Sequence, residues 1–325
     1  MSILSFEGSR PFFDPARCLN RIQRKFTCTV CTEQCLMEVF SLSGKEPIRW
    51  NRCTDCGLCV ALCPGRCFAP SSEQRRRLTE EISLKETVSF GCRREETLAT
   101  IRAKCLLAVP WELIAACALS TDVVLYTGAC EECGEERLRQ ALPELLGRLK
   151  SFLGEERFDS HVHLLQSGTF SRPDEAPEQE KTLSRRALFT GLGQKLGTQA
   201  GRAVARKLPF LENGAADGLQ FRKMLAGRVQ EETGRDPSFR PGVELPRYTA
   251  CCTGCGICEK LCPQKAIAFE PSENGKIMVY ITPWKCTACG LCVKACPVGG
   301  IDNLHTVRVP RMTELALVQV EAKTV

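Results

Sequence analysis

Between Thr87 and Gln166 short apolar runs alternate with longer stretches in which apolar residues recur at helical spacing. Thr87–Phe90, Ile101–Leu106, Asp122–Tyr126 and Val162–Gln166 read as short strands, because each run is brief and bounded by polar residues. Pro110–Leu119 and Glu132–Leu153 read as helices, with Pro143 expected to bend the second. Alternation of strand and helix predicts a small α/β domain over residues 85–167 with an open, largely parallel sheet. In such sheets the carboxyl ends of the strands gather at one crevice, where ligands bind.

The flanks follow other patterns. Met37–Leu42 and Ile48–Trp50 read as a hairpin turned at Ser43-Gly44, and Ile267–Glu270 and Lys276–Thr282 as another around Asn274-Gly275. Residues 71–84 are charged and read as a solvated connector. Residues 168–245 read as a linker that contains one basic helix. From Lys181 to Lys207 there are seven Lys or Arg and no acid, and Leu188, Leu192, Leu196, Ala200 and Val204 recur every fourth residue. That ridge suits packing between modules, docking on a partner, or peripheral contact with a membrane surface. Phe210–Leu245 is punctuated by glycine and proline and reads as connector, and residues 305–325 as a docking tail that reaches another subunit.

Cysteine placement changes the picture. Cys252-x2-Cys255-x2-Cys258-x3-Cys262-Pro263 is answered by Cys286-x2-Cys289-x2-Cys292-x3-Cys296-Pro297, and Cys53-x2-Cys56-x2-Cys59-x3-Cys63-Pro64 repeats the pattern near the amino terminus. Its partner there is irregular: Cys28, Cys31 and Cys35 take the second, third and fourth places, and the first falls on Lys25, which cannot ligate. Cys18 is the natural replacement, although Cys35 also lacks the usual proline. Zinc needs only four ligands, so eight cysteines with two Cys-Pro endings fit it poorly. A single four-cysteine site with Cys18 as a spectator is the alternative for the amino-terminal module. Cys67 and Cys251 fall outside the quartets, and Cys67 reads as a small packed side chain.

These quartets resemble bacterial-type 2[4Fe–4S] ferredoxins over Tyr248–Asn303 and Arg17–Phe68. In that family the fourth cysteine crosses to the other cluster. The resemblance therefore implies Cys252, Cys255, Cys258 and Cys296 on one cube and Cys286, Cys289, Cys292 and Cys262 on the next. It likewise implies Cys53, Cys56, Cys59 and Cys35 on a third, and Cys18, Cys28, Cys31 and Cys63 on a fourth. In the middle domain Cys92 follows the first strand, Cys105 lies late in the second, and Cys130 and Cys133 follow the third. Four thiols at one sheet edge are candidates for a [2Fe–2S] cluster or zinc. This segment loosely resembles the small iron–sulfur subunit of hydrogenase/heterodisulfide reductase complexes. A structural domain with ordinary buried cysteines is the plainer reading. Cys117 belongs to a helix core.

Twenty-three cysteines among 325 residues, in metal-ligand spacings, point to an intracellular metalloprotein and a cytoplasmic setting rather than to a disulfide scaffold. The formal charge of +6 counts every cysteine as neutral. Four cubes at about −2 each would leave the chain near −2, so the basic balance is poor evidence for nucleic acid. No apolar run reaches the 18 or so residues that a membrane-spanning helix needs. There is no P-loop, no C-x2-C-H haem site and no radical-chemistry quartet, and the His161–His163 pair sits at strand spacing.

The expected fold is α+β, with two ferredoxin-like modules over residues 1–70 and 246–304 flanking the α/β domain. The expected function is an electron-transfer subunit that relays through four [4Fe–4S] clusters to a catalytic redox subunit of hydrogenase, formate dehydrogenase or reductase type. Two rivals stand beside it. One is a reductase with a substrate or [2Fe–2S] site in the middle domain, and the other is a cluster-based redox sensor or assembly factor.

Overall fold

The computed structural model describes residues 4–5, 11–23, 26–41, 48–54, 56–69, 82, 87–95, 99–167, 218–272, 276–313 and 315–320. Its largest sheet has five strands: β1 (Leu4–Ser5), β4 (Thr87–Cys92), β5 (Ile101–Ala103), β6 (Asp122–Tyr126) and β7 (Val162–Leu165). Their order is β1-β5-β4-β6-β7 and every pairing is parallel. β6 is buried at all five positions, which is why it reads as an unbroken apolar run rather than an alternating one. The helices Trp111–Ala118 and Glu136–Leu153 pack on this sheet, and Pro143 lies inside the second. The second helix starts later than its sequence suggests, because Gly128–Glu131 forms a separate turn of helix that carries Cys130. Edge strand β1, contributed from the amino terminus, has no counterpart in the sequence reading.

Two segments depart from expectation. Phe210–Leu245, read as connector, contains the helix Gln220–Arg235 and the strand β8 (Gly242–Tyr248). That helix buries Phe221, Met224, Leu225 and Val229, but also Arg222, Arg228 and Glu232. Charged residues on the buried face break up the apolar stripe by which such a helix is recognised. The carboxyl-terminal segment read as a docking tail pairs within the chain instead. β11 (Ile301–Arg308) runs antiparallel to β8, and β12 (Leu315–Val320) runs antiparallel to β10 (Ile277–Ile281).

β10 also pairs with β9 (Ile267–Pro271) in the expected hairpin, with Ile281 opposite Ile267. The corresponding amino-terminal hairpin is not formed among the described residues. Only the Arg49 amide reaches the Val39 carbonyl, at 3.0 Å, and Trp50–Arg52 is a 3-10 turn. A short pair, β2 (Phe12–Phe13) with β3 (Phe68–Ala69), closes that module by stacking Phe13 on Phe68. The basic helix of 181–207 lies outside the described residues. The result is a mixed α+β fold with small sheets. Among the described residues no helix is long and apolar enough to cross a membrane.

Three pieces are tied at a buried ion cluster. Glu112, on the helix Trp111–Ala118, accepts from Arg66 and from Arg222, the latter at 3.3 Å. Arg66 also donates to the Ala61 carbonyl (3.2 Å), and Arg222 to the carbonyls of Trp284 (2.9 Å) and Pro283 (3.1 Å). Burial lowers the Arg222 pKa, and Glu112 opposes that shift.

Candidate metal centres

In the carboxyl-terminal module each quartet is a loop that runs into one turn and a half of helix. Gly256 (φ 71°) and Gly290 (φ 73°) start the helices Ile257–Leu261 and Leu291–Ala295 in the left-handed region, which a side chain would strain. The helices carry Cys258 and Cys292, and end at Cys262 and Cys296. Three residues on, Lys265 (φ 49°) and Gly299 (φ 62°) turn the chain back. The next amide then donates to the cysteine sulfur: Ala266 N to Cys262 Sγ at 3.3 Å, and Gly300 N to Cys296 Sγ at 3.1 Å. Such amides stabilise a thiolate.

The thiols of the two quartets lie close enough to act on one another's charge. Burial raises Cys252, and the charges of Cys296 and Cys255 add to the rise. Burial pushes Cys258 up to about 11, with Cys252 acting in the same direction and the Tyr248 hydroxyl, 3.3 Å away, against it. Cys286 is likewise pushed up to about 11 by burial, and it feels Cys289 and Cys262. Cys292 is raised by burial and by Cys286, Cys289, Cys258 and Cys262. Cys262 is charge-coupled to Cys286, Cys289 and Cys292, and Cys296 to Cys252.

Residues 251–300 match the family model of the 4Fe-4S dicluster domain. This chain therefore carries one dicluster domain in its carboxyl-terminal part. No curated protein matches the chain.

The amino-terminal cysteines also lie on loops that run into short helices. Gly57 (φ 82°) starts the helix Leu58–Leu62, which ends at Cys63, and Arg66 (φ 52°) makes the return turn. In the irregular half the short helix Val30–Glu33 precedes Cys35, and Glu38 (φ 49°) supplies the same return turn without the proline. Cys18 stands at the start of the helix Leu19–Ile22. Asn20 then fixes Cys28 beside it, accepting from the Cys28 amide at 2.6 Å and donating to its carbonyl at 2.8 Å. Burial pushes Cys31 up to about 12, and Cys63, Cys28 and Cys18 push it the same way. Cys59 is raised by burial and then by Cys56, Cys53 and Cys35. Cys67, read from the sequence as packing, adjoins the first of these sets: its thiol holds Cys18 and Cys63 below the ordinary thiol range.

The third group lies where the parallel sheet predicts it. Cys92 ends β4, Cys105 follows β5, and Cys130 and Cys133 follow β6, all at carboxyl ends of adjacent strands. Burial pushes Cys130 up to about 12, followed by the charges of Cys92, Cys105, Glu95 and Cys133. Burial pushes Cys105 up to about 11, followed by Cys92, Cys133 and then Cys56 of the amino-terminal module. Glu95, which the sequence reading passed over, is buried there and accepts from the Ala129 amide at 2.8 Å.

Four zinc-bound sulfurs at about 2.3 Å from the ion lie about 3.8 Å from one another. Among the described residues no three His, Cys, Asp or Glu side chains are placed to hold a single metal ion. The thiols instead line cavities. One of about 170 Å³ is faced by Cys18, Cys28, Cys31, Cys63 and Cys67. Another of about 210 Å³ is faced by Cys35, Cys53, Cys56 and Cys59 together with Cys92, Cys105, Cys130 and Cys133. All-thiol donor sets with amides aimed at sulfur suit iron–sulfur clusters.

Proposed function

We propose that the chain is an iron–sulfur electron-transfer subunit with two dicluster modules and a further thiol-bound site at the edge of the parallel sheet. The cysteine sets are those inferred from the spacing. Cys252, Cys255, Cys258 and Cys296 form the first, and Cys286, Cys289, Cys292 and Cys262 the second. Cys18, Cys28, Cys31 and Cys63 form the third, Cys53, Cys56, Cys59 and Cys35 the fourth, and Cys92, Cys105, Cys130 and Cys133 the fifth. Bound at the quartets, a [4Fe–4S] cube supplies one-electron exchange between two oxidation levels.

The observation that carries this reading is that the five sets adjoin in one row. Cys258 of the first acts on Cys292 of the second. Cys289 of the second and Cys28 of the third pack against one apolar cluster of Leu19, Phe26 and Leu291. Cys63 of the third acts on Cys59 of the fourth. The fourth and fifth share a cavity. At one end of the row Cys255 is exposed, which suits contact with a donor or acceptor protein. A row of half-buried sites with an open end matches a relay between partner subunits in the cytoplasm better than a switch built on one cluster.

The test is anaerobic purification with iron and sulfide analysis and EPR. About sixteen irons per chain are expected from four cubes, or about eighteen with a [2Fe–2S] centre in the fifth set. About eight would refute the amino-terminal module, and a colourless zinc-loaded chain would refute the whole reading. Turnover of a substrate by the isolated chain, abolished by Cys130→Ala with all cubes retained, would favour the reductase alternative.

A further inference from the structure

Three of the cysteine-ending loops have the same geometry four residues on, where a backbone amide meets the sulfur. In two of them the residue that provides it is Ala266 or Gly300, which bring no donor atom of their own. In the third it is Cys67, whose amide lies 3.5 Å from Cys63 Sγ and whose own Sγ lies 3.5 Å from the same atom. The left-handed turn at Arg66 folds Cys67 back over Cys63. At 4% exposure the Cys67 thiol faces no bulk water, and it lines the cavity with Cys18, Cys28, Cys31 and Cys63. Five thiols therefore surround a space where a cube has four iron corners.

We propose that Cys67 is a second donor for the iron corner held by Cys63, so that the two cysteines can exchange at that corner while the cluster stays bound. This rests on the reading that the set Cys18, Cys28, Cys31 and Cys63 holds a cube. In the exchange the iron–sulfur bond to Cys63 breaks and one to Cys67 forms. The Cys67 thiol proton passes to the departing Cys63 sulfur across their 3.5 Å contact. No electron moves and the site's charge is unchanged. The set involved is also the one that lacks its regular first cysteine, so a spare donor sits where the ligand pattern is least regular.

The experiment uses the full chain, purified without air, as wild type, Cys63→Ala, Cys67→Ala and the double variant. Both single variants should keep the wild-type iron and sulfide, and the double variant should lose about four irons. Loss of about four irons from Cys63→Ala alone overturns the proposal, as does full iron in the double variant. EPR of the carboxyl-terminal clusters reports whether each variant has folded. Should Cys63→Ala not fold, Cys63→Ser takes its place with a second readout: Cys67 should resist iodoacetamide until iron is chelated, and labelling of Cys67 with the cluster still bound overturns the proposal. A wild-type chain without these four irons removes the underlying reading, and the inference falls with it.

Discussion

Replacing Glu112 by glutamine should destabilise the chain more than any single surface change. Glu112 is wholly buried and is the anion between two buried guanidiniums, Arg66 and Arg222. At an effective dielectric of about 20, a unit charge pair at the 3.3 Å Arg222 contact is worth about 5 kcal/mol, and Arg66 adds a comparable attraction. Glutamine forfeits both but relieves the several kcal/mol of desolvation that the carboxylate carries, which leaves a net loss of about 3–5 kcal/mol. That is about a fifth or more of the stability of an ordinary domain. The assay is urea unfolding without air, followed by tryptophan emission and by cluster absorbance in the visible. Glu112→Gln should lower the midpoint and separate the two probes, because the cluster joins the amino-terminal module, the parallel-sheet domain and the carboxyl-terminal module. In Glu112→Gln/Arg66→Met one of the two repelling cations is gone, while Arg222 keeps its carbonyl partners at Pro283 and Trp284. That double variant should recover part of the loss. A Glu112→Gln midpoint within about 1 kcal/mol of wild type would refute the reasoning.

Three further outcomes follow from single contacts. Arg222 is charge-coupled to Cys286, so Arg222→Met should lower the reduction potential of the cluster proposed on Cys286, Cys289, Cys292 and Cys262, because the reduced, more negative state loses a cation; redox-titrated EPR reads the shift. A Cβ on Gly300 would fall 2.7 Å from Cys252 Cα, so Gly300→Ala should loosen the neighbouring cluster and lose about four irons on desalting while the other sites hold. Burial pushes the Cys117 thiol up to about 12, so it should resist alkylation at pH 8 in the folded chain, as mass spectrometry can show. Its folded pKa lies above the unfolded value near 9, so its contribution to stability is complete below pH 9 and is lost as pH rises towards 12; Cys117→Ala should flatten that decline in unfolding experiments.

The elements that could be read from the sequence are those whose signal is local. Cysteine spacing fixes loop length and helix start together, so Gly256 and Gly290 fall where the chain needs a left-handed residue. β6 could be read because both faces are covered and Val123–Tyr126 are apolar without interruption, and β4 because half-buried Thr87 and Ser89 alternate with buried Val88 and Phe90. What escaped was set by distant partners. The helix Gln220–Arg235 hides its buried face behind Arg222, whose partners Glu112, Pro283 and Trp284 are far away in sequence. The mates of β11 and β12, namely β8 and β10, lie far back along the chain, so no local pattern reveals the pairing. Cys67 reads as packing because its counterpart is Ala266, and it is buried in the apolar cluster of Val60, Cys63 and Phe68; nothing in spacing alone says that the loop turns the thiol back onto Cys63.

The irregular quartet explains how the two modules meet. In a regular repeat the first cysteine would stand at position 25, and the loop to Cys28 would be too short to present any side chain elsewhere. With Cys18 proposed as that ligand, the residues inserted between the first and second cysteines include the helix Leu19–Ile22. Those inserted residues supply Leu19, Ile22 and Phe26, which pack with Leu261, Cys289 and Leu291 of the dicluster domain, while Lys294 sits over the Phe26 ring at 4.7 Å. Asn20, in the same insertion, anchors Cys28. The Gln264 side chain adds a bond to the Gly65 carbonyl at 2.6 Å across the same junction. A departure from the motif that looks like decay along the sequence therefore provides the apolar surface on which one module seats against the other.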